Sequence, residues 1–545
     1  MDFDALNSPI GYSKVPLRYN NIPSEQNSDR GSQLREDQPF NFDFFNSPIE
    51  IIERVFDYLS QFEILSLCRT CSDLYELCSP RLFHHIVIDP KFNIFAHEYQ
   101  TAGRTYINSS YNLKRFLRRI TDKSAQGSII SSILCKSLPE GFDFHQFRDH
   151  FIHLFSCLNH VQSLTWLDKH FELELLYVLP QKDLITTLIL NLESCCVEDL
   201  GMDQISKLNF PNLVNFQIKP VRVARDLSPI VDGLLVNSND EIRVSDRLRV
   251  LSFDIQGSRR PIMEIIFRQS RLGRLSNLTS LSINDILLTQ EEIHLLFTYV
   301  DLSKLEFFQM KRASILEYDS GTDSFEEDSE LESFHEESES GPFLLRIATK
   351  FERLCHLSLQ IDEHPDKVVI DEFISILPQL TSLDIVSTTG RPVELAQAIA
   401  KHHNLTKLSS EVYEFNEDIM DSELSDPPFE FYSFLSSLNL TSLRINNTSN
   451  MRGLVHLISS QKQLRFLEII GAKAGGAPNL GLGMVHPTVF DEWFKVQHVV
   501  LFYLNINPTI EYIRVNDCIF ECKPDKTVNP RDGLGDWFDE NVKVC

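Results

Sequence analysis

The chain has 545 residues, of which 42% are hydrophobic and 23% charged, and its formal net charge is −26. A chain of this length and apolar content can bury large cores, and its length predicts about three or four domains. The excess of acidic residues argues against nucleic acid or an anionic membrane as the main partner.

Cysteine usage and the first residues predict where the protein works. Eleven cysteines are scattered along the chain without paired spacing. The first ten residues are acidic rather than apolar, and no apolar run approaches the length of a membrane span. We therefore expect no membrane partner, reduced thiols, and a location in the cytoplasm, the nucleus or both.

A small helical region is predicted close to the N-terminus. Residues 1–40 are rich in Asn, Ser, Gln and Pro, which predicts a disordered tail. Residues 41–90 then carry short amphipathic helices. In the first helix, Ser47 and Glu50 have the spacing of a capping box, and Pro48 takes the first helical position.

The order of residues in this region resembles an F-box. The matching positions are Pro48, Glu50, Leu59, Glu63-Ile64-Leu65, Leu74-Tyr75 and Pro80-Arg81-Leu82-Phe83, with Ser47 where the family usually has Leu. The resemblance implies that these helices bind a Skp-family adaptor and, through it, a cullin. We expect the adaptor to contact apolar side chains, namely Pro48, Ile49, Ile52, Val55, Leu59, Ile64, Leu65 and Leu82. The alternative is an ordinary helical subdomain that caps whatever follows.

Residues 91–159 are predicted to form a helical linker or cap. The run Leu113–Ile120 has the pattern of an amphipathic helix that carries four cations. Those cations are typical of a solvated helix face, although an acidic partner would also suit them.

From about His160 to residue 520 one short pattern recurs, apolar-x-x-apolar-x-apolar. Clear copies are centred on Leu164, Phe216, Leu281, Leu383, Leu443 and Leu467, and weaker copies on Leu188, Leu251, Leu305, Leu357, Leu408 and Ile513. A spacing of 24 or 25 residues recurs between centres, and helical patterns lie between them. Such periods are typical of stacked strand–helix units.

This pattern resembles a degenerate leucine-rich repeat. The resemblance implies an α/β solenoid, a horseshoe with a parallel sheet, preceded by the small all-α F-box-like subdomain. The family's Asn or Cys after the strand is mostly replaced, and only Cys518 fits that position. The alternative is an ordinary α/β domain with Leu-rich strands. Residues 521–545 are left as a C-terminal segment.

The strand pattern also predicts a binding face for a protein substrate. Residues that alternate with the buried leucines should point to the other side of the sheet. Among them Phe308, Arg444 and Arg514 are the residue types that binding hot spots favour. The alternative is that ligands bind the inserted loops.

Two insertions interrupt the repeats. Glu317–Ser340 holds eleven acidic residues and no Lys or Arg, which predicts a disordered loop over residues 317–340. Within it, Ser320, Ser324, Ser329 and Ser333 each precede an acidic residue by three positions and are candidate phosphosites; an inert solvated loop is the alternative. Residues 471–483 are Gly-rich but lack the spacing of a nucleotide fingerprint, and they are predicted to be a flexible insertion.

Catalytic and metal motifs are not found. Cys68, Cys71, His84 and His85 suggest a zinc finger, but their spacing does not provide four ligands, so no metal and no cofactor is expected. No nucleophile elbow, P-loop or zincin motif occurs. The sequence therefore predicts a non-catalytic substrate-recognition subunit of a Skp-cullin-F-box type ubiquitin ligase. The alternatives are a leucine-rich-repeat scaffold outside any ligase and, less favoured, an enzyme.

Overall fold

The computed structural model describes residues 47–93, 101–122, 124–194, 208–221, 227–235, 244–255, 262–269, 272–315, 342–361, 370–414, 425–470, 489–515, 518–531 and 534–542. The chain divides into a unit of residues 1–53 and a unit of residues 54–545. The described part of the first unit is limited to residues 47–53, where the first helix begins.

Four short helices open the described chain. They are α1 (Ile49–Phe56), α2 (Gln61–Leu67), α3 (Ser72–Cys78) and α4 (Arg81–His84). Helix α2 begins with a capping box in which Ser60 Oγ accepts from the Glu63 N–H at 3.3 Å, and the Ser60 N–H donates to Glu63 Oε2 at 2.7 Å. The sequence predicts a capping box at Ser47 and Glu50, and the one that begins α2 is a further Ser-x-x-Glu pair, Ser60 and Glu63, which was not predicted.

The rest of the fold is built on one large, mostly parallel sheet. The strands are β1 (His85–Ile88), β2 (Thr105–Ile107), β3 (Ser132–Cys135), β4 (Ser163–Trp166), β5 (Thr187–Leu192), β6 (Asn215–Val221), β7 (Val250–Ile255), β8 (Ser280–Asn284), β9 (Leu287–Leu288), β10 (Phe307–Ile315), β11 (His356–Ile361), β12 (Ser382–Thr389), β13 (Lys407–Glu414), β14 (Ser442–Asn446), β15 (Phe466–Ile470), β16 (Tyr512–Val515), β17 (Cys518–Cys522) and β18 (Val528–Pro530).

Seventeen of the described strands belong to one open sheet. Its order is β2, β1, β3 to β8, then β10 to β18, and the short β9 pairs separately with β10. Neighbours are parallel from β2 to β16, and β17 and β18 complete the sheet as antiparallel strands. Cys518 opens the antiparallel β17, so it does not occupy a turn after a parallel strand, as its predicted role required.

Helices connect most of the parallel strands, as a parallel pairing requires. They are α5 (Ser110–Asp122), α6 (Ser124–Gly127), α7 (Arg148–Ser156), α8 (Glu174–Tyr177), α9 (Leu227–Leu235), α10 (Val244–Arg247), α11 (Gln290–Tyr299), α12 (Phe343–Ala348), α13 (Ile370–Ile376), α14 (Pro392–Ala400), α15 (Phe429–Leu435), α16 (Met451–Ser460), α17 (Val489–Ile506) and α18 (Gly535–Val542). A π-helix covers Glu264–Gln269. Helices α12 to α17 pack each against the next.

The predicted strand centres fall into one buried row across the sheet. Leu281 pairs in register with Phe308, Phe308 with Leu357, Leu357 with Leu383, and Leu443 with Leu467. All of these side chains are buried. The predicted centre at Leu305 is wrong by three residues, because the register places Phe308 opposite the neighbouring leucines.

The sheet also begins before His160. Strands β1, β2 and β3 pair in parallel, and β3 pairs with β4. Residues 91–159 therefore contribute two strands as well as α5, α6 and α7. In α5 the side chains of Leu113, Leu117 and Ile120 are buried, as the amphipathic pattern predicted. Its four cations lie over aromatic rings of the same chain, 5.5–6.0 Å from the ring centres.

Hydroxyl groups tie neighbouring strands together at their amino ends. The threonines of the recurring Leu-Thr-Ser-Leu pattern donate twice to the preceding strand, once from the backbone and once from Oγ1. Thr381 donates to the Cys355 carbonyl at 2.8 Å and 3.1 Å, and Thr441 donates to the Thr406 carbonyl at the same two distances. In the sequence, the Asn or Cys expected after each strand is mostly replaced. These threonine hydroxyls instead link neighbouring strands at the opposite, amino ends.

Buried polar side chains make a second set of ties, just after the helices. His402 Nδ1 accepts from the Leu380 N–H at 3.2 Å, and its Nε2 donates to the Ile374 carbonyl at 3.0 Å. Gln461 Oε1 accepts from the Leu440 N–H at 2.9 Å in the corresponding place. Each such side chain satisfies backbone groups that would otherwise be buried unpaired.

Candidate functional site

Helix α1 and the turn after it present large apolar side chains to solvent. Val55 is 41% exposed, Tyr58 is 81% exposed, and Ile51 is 48% exposed. Pro48 is also exposed, and Leu65 on α2 is half-buried. Exposed side chains of this size, close together in sequence, are typical of a protein-interaction surface.

Other residues predicted to contact an adaptor point into the chain. Ile52, Ile64 and Leu82 are buried, and Leu59 is half-buried. Leu59, Ile64 and Leu82 line a cavity of about 740 Å³ that β3 residues, including Leu134, also line. Ile64 and Leu82 are thus not exposed to a partner in this structure, and their predicted contact with an adaptor stays a prediction. The Ile49 side chain lies outside the described part of the structure.

The cysteines and histidines of this region do not form a metal site. Burial raises the pKa of Cys68, and burial followed by the neighbouring thiols raises that of Cys78 to about 12, so both remain protonated. His84 Nδ1 lies 2.9 Å from His85 Nε2, and His85 Nδ1 lies 2.7 Å from Ser132 Oγ. Within the described ranges, no group of three or more His, Cys, Asp or Glu side chains is placed to hold a metal ion.

The second predicted site is the polar face of the sheet, the face opposite the buried leucine row. One register row runs across it from β11 to β16, comprising Ser358, Asp384, Ser409, Arg444, Glu468 and Arg514. These residues alternate with the buried row, so Arg444 and Arg514 lie on the face opposite the buried leucines, and their part in substrate binding stays a prediction.

A chain of ion pairs follows this row. Lys311 Nζ lies 2.8 Å from Asp384 Oδ2, and Arg444 lies 2.8 Å from Glu411 and 3.2 Å from Glu468. Arg514 lies 2.6 Å from Glu468. Burial favours a raised pKa for Asp384, but the Lys311 ammonium and hydrogen bonds from Lys311, Ser409 and Ser358 together hold that pKa below its usual value. The arginines are therefore already paired within the chain.

Phe308 does not belong to this face. Its side chain is 0% exposed and packs 5.4 Å from the ring of Phe351. The predicted exposure of Phe308 is wrong because the strand was aligned on Leu305 instead of Phe308. With the correct register, Gln309 and Phe307 are the residues of β10 on the polar face, and both are half-buried.

The C-terminal helix α18 covers part of the polar face. It lies against β13, β14 and β15. Phe538 and Val542 pack with Phe466 in a buried cluster, and the Lys407 ammonium donates to the Glu540 carbonyl at 3.2 Å. The Arg514 guanidinium lies 4.8 Å from the centre of the Phe538 ring. Sequence reasoning missed this contact, although Trp537 and Phe538 give the segment an apolar stripe.

Several predicted features lie outside the described residues. The four candidate phosphosites Ser320, Ser324, Ser329 and Ser333 are among them, as is the Gly-rich insertion at residues 471–483. They stay predictions.

Comparison with known proteins identifies one part of the chain. Residues 48–89 match the family model described as F-box-like, and a search of curated proteins found no match. The chain thus contains an F-box-like domain, a protein–protein interaction module, and the resemblance of that stretch is confirmed. No helix in the described residues has both the length and the apolar content needed to cross a membrane.

Proposed function

We propose that the protein is the substrate-recognition subunit of a Skp-cullin-F-box type ubiquitin ligase. The F-box-like domain would bind a Skp-family adaptor, and the adaptor would connect the chain to a cullin. The observation that carries the proposal is the F-box-like match at residues 48–89, which coincides with exposed apolar side chains on α1.

Fewer of the predicted residues are exposed to an adaptor in the structure than the sequence suggested. Val55 and Tyr58 are exposed and apolar, whereas Ile52, Ile64 and Leu82 are needed inside the chain. Burying a large exposed side chain at an interface contributes about 1.5–3 kcal/mol, so a few such residues can account for binding. We infer that Val55 and Tyr58 are central to the contact, with Ile51, Pro48 and Leu65 as neighbours.

The strand–helix units are proposed to be degenerate leucine-rich repeats that bind a target protein. The strand register, the repeated buried leucine position and the ladder of threonines all support repeating units. The target would bind the polar face away from α18, where Gln217, Phe307, Gln309 and Lys311 are half-buried. Catalysis would remain with other subunits, and the ligase would act in the cytoplasm or nucleus.

Co-purification tests this proposal. The full chain, tagged at its N-terminus, should retain both a Skp-family adaptor and a cullin, and a chain that lacks residues 47–88 should lose both. Retention of the adaptor without cullin would favour an adaptor-binding scaffold outside any ligase. Loss of neither partner on deletion would contradict the proposed role of the F-box-like domain.

A further inference from the structure

A cavity of about 690 Å³ opens at the amino ends of five neighbouring parallel strands, β6, β7, β8, β10 and β11. The residues immediately before four of those strands line it, including Arg249, Thr279 and Glu306. Lys304 and Arg353 line it from the turns that precede β10 and β11. We call this cavity the basic groove. None of its lining residues belongs to the F-box-like domain or to the residues of the polar face named above.

The groove is positive in a protein that is strongly negative overall. Four cations line it, Arg247, Arg249, Lys304 and Arg353, against two carboxylates, those of Asp246 and Glu306. The local balance of +2 (4 − 2) contrasts with the formal net charge of −26 for the chain. A cleft lined mainly by one sign of charge raises the local concentration of ligands of the opposite sign.

The four cations differ in what holds them. Arg247 donates to the Pro211 carbonyl at 3.4 Å. Lys304 donates to the Ser276 carbonyl at 2.7 Å, and its ammonium lies 3.7 Å from the Asp301 carboxylate outside the groove lining. Arg249 and Arg353 are exposed, and neither has an ion-pair partner among the described residues. Two guanidinium groups are therefore available to a ligand, and two fixed cations lie in the same groove.

The spacing of the available groups indicates the shape of the ligand. Arg249 precedes β7 and Arg353 precedes β11, and β8 and β10 lie between those two strands. Three strand intervals of about 4.8 Å separate their elements by roughly 14 Å. A single phosphate cannot span that distance. In an extended peptide, side chains at alternate positions share one face at about 6.8 Å intervals, so the first and fifth residues lie roughly 14 Å apart.

We propose that the basic groove is a binding site for an extended peptide segment with acidic side chains at alternate positions. Arg249 and Arg353 pair with the outer carboxylates, and Lys304 lies nearest the middle one. Thr279 Oγ1 donates to the Arg249 carbonyl and Asn277 Nδ2 donates to the Asp246 carbonyl, so these two side chains offer their oxygens as acceptors for N–H groups of the peptide backbone. This site is separate from adaptor binding, so its test does not depend on the proposed ligase function.

Fluorescence anisotropy with the full chain tests the proposal. The probe is a labelled peptide of alternating glutamate and glycine, six residues long, with a glutamine-for-glutamate peptide as its neutral counterpart. We expect the acidic probe to bind the wild-type chain and to weaken about fivefold when salt rises from roughly 50 to 300 mM, since exposed charges are screened. The neutral probe should bind at least tenfold more weakly.

Charge reversal locates the site. The double variant Arg249→Glu with Arg353→Glu should reduce binding of the acidic probe by about tenfold or more, because both outer contacts become repulsive. The matched control is Lys401→Glu with Lys462→Glu, two exposed cations in turns at the same edge of the sheet but outside the groove. That control should bind as the wild type does. Circular dichroism establishes that both variants fold.

The proposal would be overturned if the wild-type chain bound the acidic probe no more tightly than the neutral one. It would also be overturned if the groove variant bound as tightly as the wild type, or if the control variant lost as much affinity as the groove variant. A peptide with one central phosphoserine and no other acid that binds more tightly than the acidic probe would also contradict the spaced-carboxylate ligand.

Discussion

Asp539 of the C-terminal helix lies 2.6 Å from the Arg514 guanidinium on β16. Arg514 is also paired with Glu468, and its side chain is only 11% exposed. The contact joins the end of the chain to the polar face, together with the cluster that Phe538 and Val542 form with Phe466. The two arginines that the sequence offered as substrate contacts are thus engaged with their own chain, and a target protein would have to bind the rest of that face.

The first prediction concerns the two ion pairs of Arg514, with Glu468 and with Asp539. Changing Arg514 to Met would remove both and leave the largely buried Glu468 carboxylate without one of its arginine partners. Removing one member of a buried pair costs about 3–5 kcal/mol, and we expect about 2–4 kcal/mol here because Asp539 is partly exposed. The measurement is the free energy of unfolding in urea, with hydrogen exchange in α18 as a local readout.

The more exposed partner provides the control for that variant. Asp539→Asn should cost less than Arg514→Met, because Glu468 keeps its arginine. Equal stability of the wild type and Arg514→Met, with unchanged exchange in α18, would show that the ion pair does not hold the helix in place.

The second prediction is a dependence of stability on pH through His402. Burial lowers the pKa of His402, because desolvation disfavours the charged ring. The neutral ring is also the form whose Nδ1 can accept the Leu380 N–H. A histidine with a folded-state pKa below the unfolded value of about 6.5 contributes fully above that value. Its contribution is lost as pH falls from about 6.5 toward the folded-state pKa. We expect the wild-type melting temperature to fall more steeply below pH 6.5 than that of His402→Gln.

Gln461 suggests why glutamine is the right replacement. It makes the corresponding bond to the Leu440 N–H without a titrating group. His402→Gln should therefore cost under about 1 kcal/mol at pH 7.5. His402→Leu leaves the Leu380 N–H without its acceptor, while the Ile374 carbonyl keeps the Leu377 N–H, so it should cost about 1–3 kcal/mol. Parallel pH profiles for the wild type and the Gln variant would contradict the role of this ring.

The third prediction concerns Glu292, a buried residue of α11 whose carboxylate lies at the start of the π-helix. Its carboxylate accepts from the Ile262, Met263 and Glu264 N–H groups at 2.8, 2.6 and 2.9 Å. Glu292→Ala should destabilise the chain by about 3 kcal/mol, because three donors lose their acceptor. Glu291→Ala, at the exposed neighbouring position, should change stability by under about 1 kcal/mol. Equal effects of the two substitutions in thermal unfolding would contradict this capping role.

The fourth prediction concerns the acidic segment. The sequence predicts a disordered loop over Glu317–Ser340, and shortening such a loop changes closure entropy only slightly, so deleting it should change the melting temperature by less than about 5 °C. A larger fall, measured by differential scanning fluorimetry, would mean that this segment contributes packing or ion pairs to the folded chain.

The sequence predicted strand positions that depend on a local apolar pattern, but it did not predict contacts between segments distant in sequence. The apolar-x-x-apolar-x-apolar pattern identified Leu383 and Leu443, because each of them ends a Leu-Thr-Ser-Leu run, which is a strong local signal. The segment around β10 offers two overlapping matches, one centred on Leu305 and one on Phe308, and only pairing with β8 and β11 decides between them. The apolar residues Trp537 and Phe538 do not indicate where α18 packs, because its contacts with β13–β15 are with strands far away in sequence.

The N-terminal helices illustrate the same limit. Their family resemblance was visible from residue order, and the match at residues 48–89 agrees with it. Which apolar side chains face inward could not be read from helical period alone, because each short helix presents apolar residues on more than one side. Contacts distant in sequence bury Ile64 and Leu82, which share a cavity with strand residues, whereas Val55 is left 41% exposed.

The most direct test of the account is adaptor binding by a chain that carries Val55→Asp and Tyr58→Asp. Both side chains are exposed, so the variant should fold, and two charges in a desolvated interface should weaken adaptor binding by several kcal/mol. The matched control, Ile376→Asp with Phe434→Asp, alters apolar residues of α13 and α15 that are 48% and 38% exposed. The account predicts that calorimetry with a purified Skp-family adaptor shows nanomolar to micromolar binding for the wild type and the control, and none for the Val55 and Tyr58 variant. Undiminished adaptor binding by a folded Val55 and Tyr58 variant would contradict it.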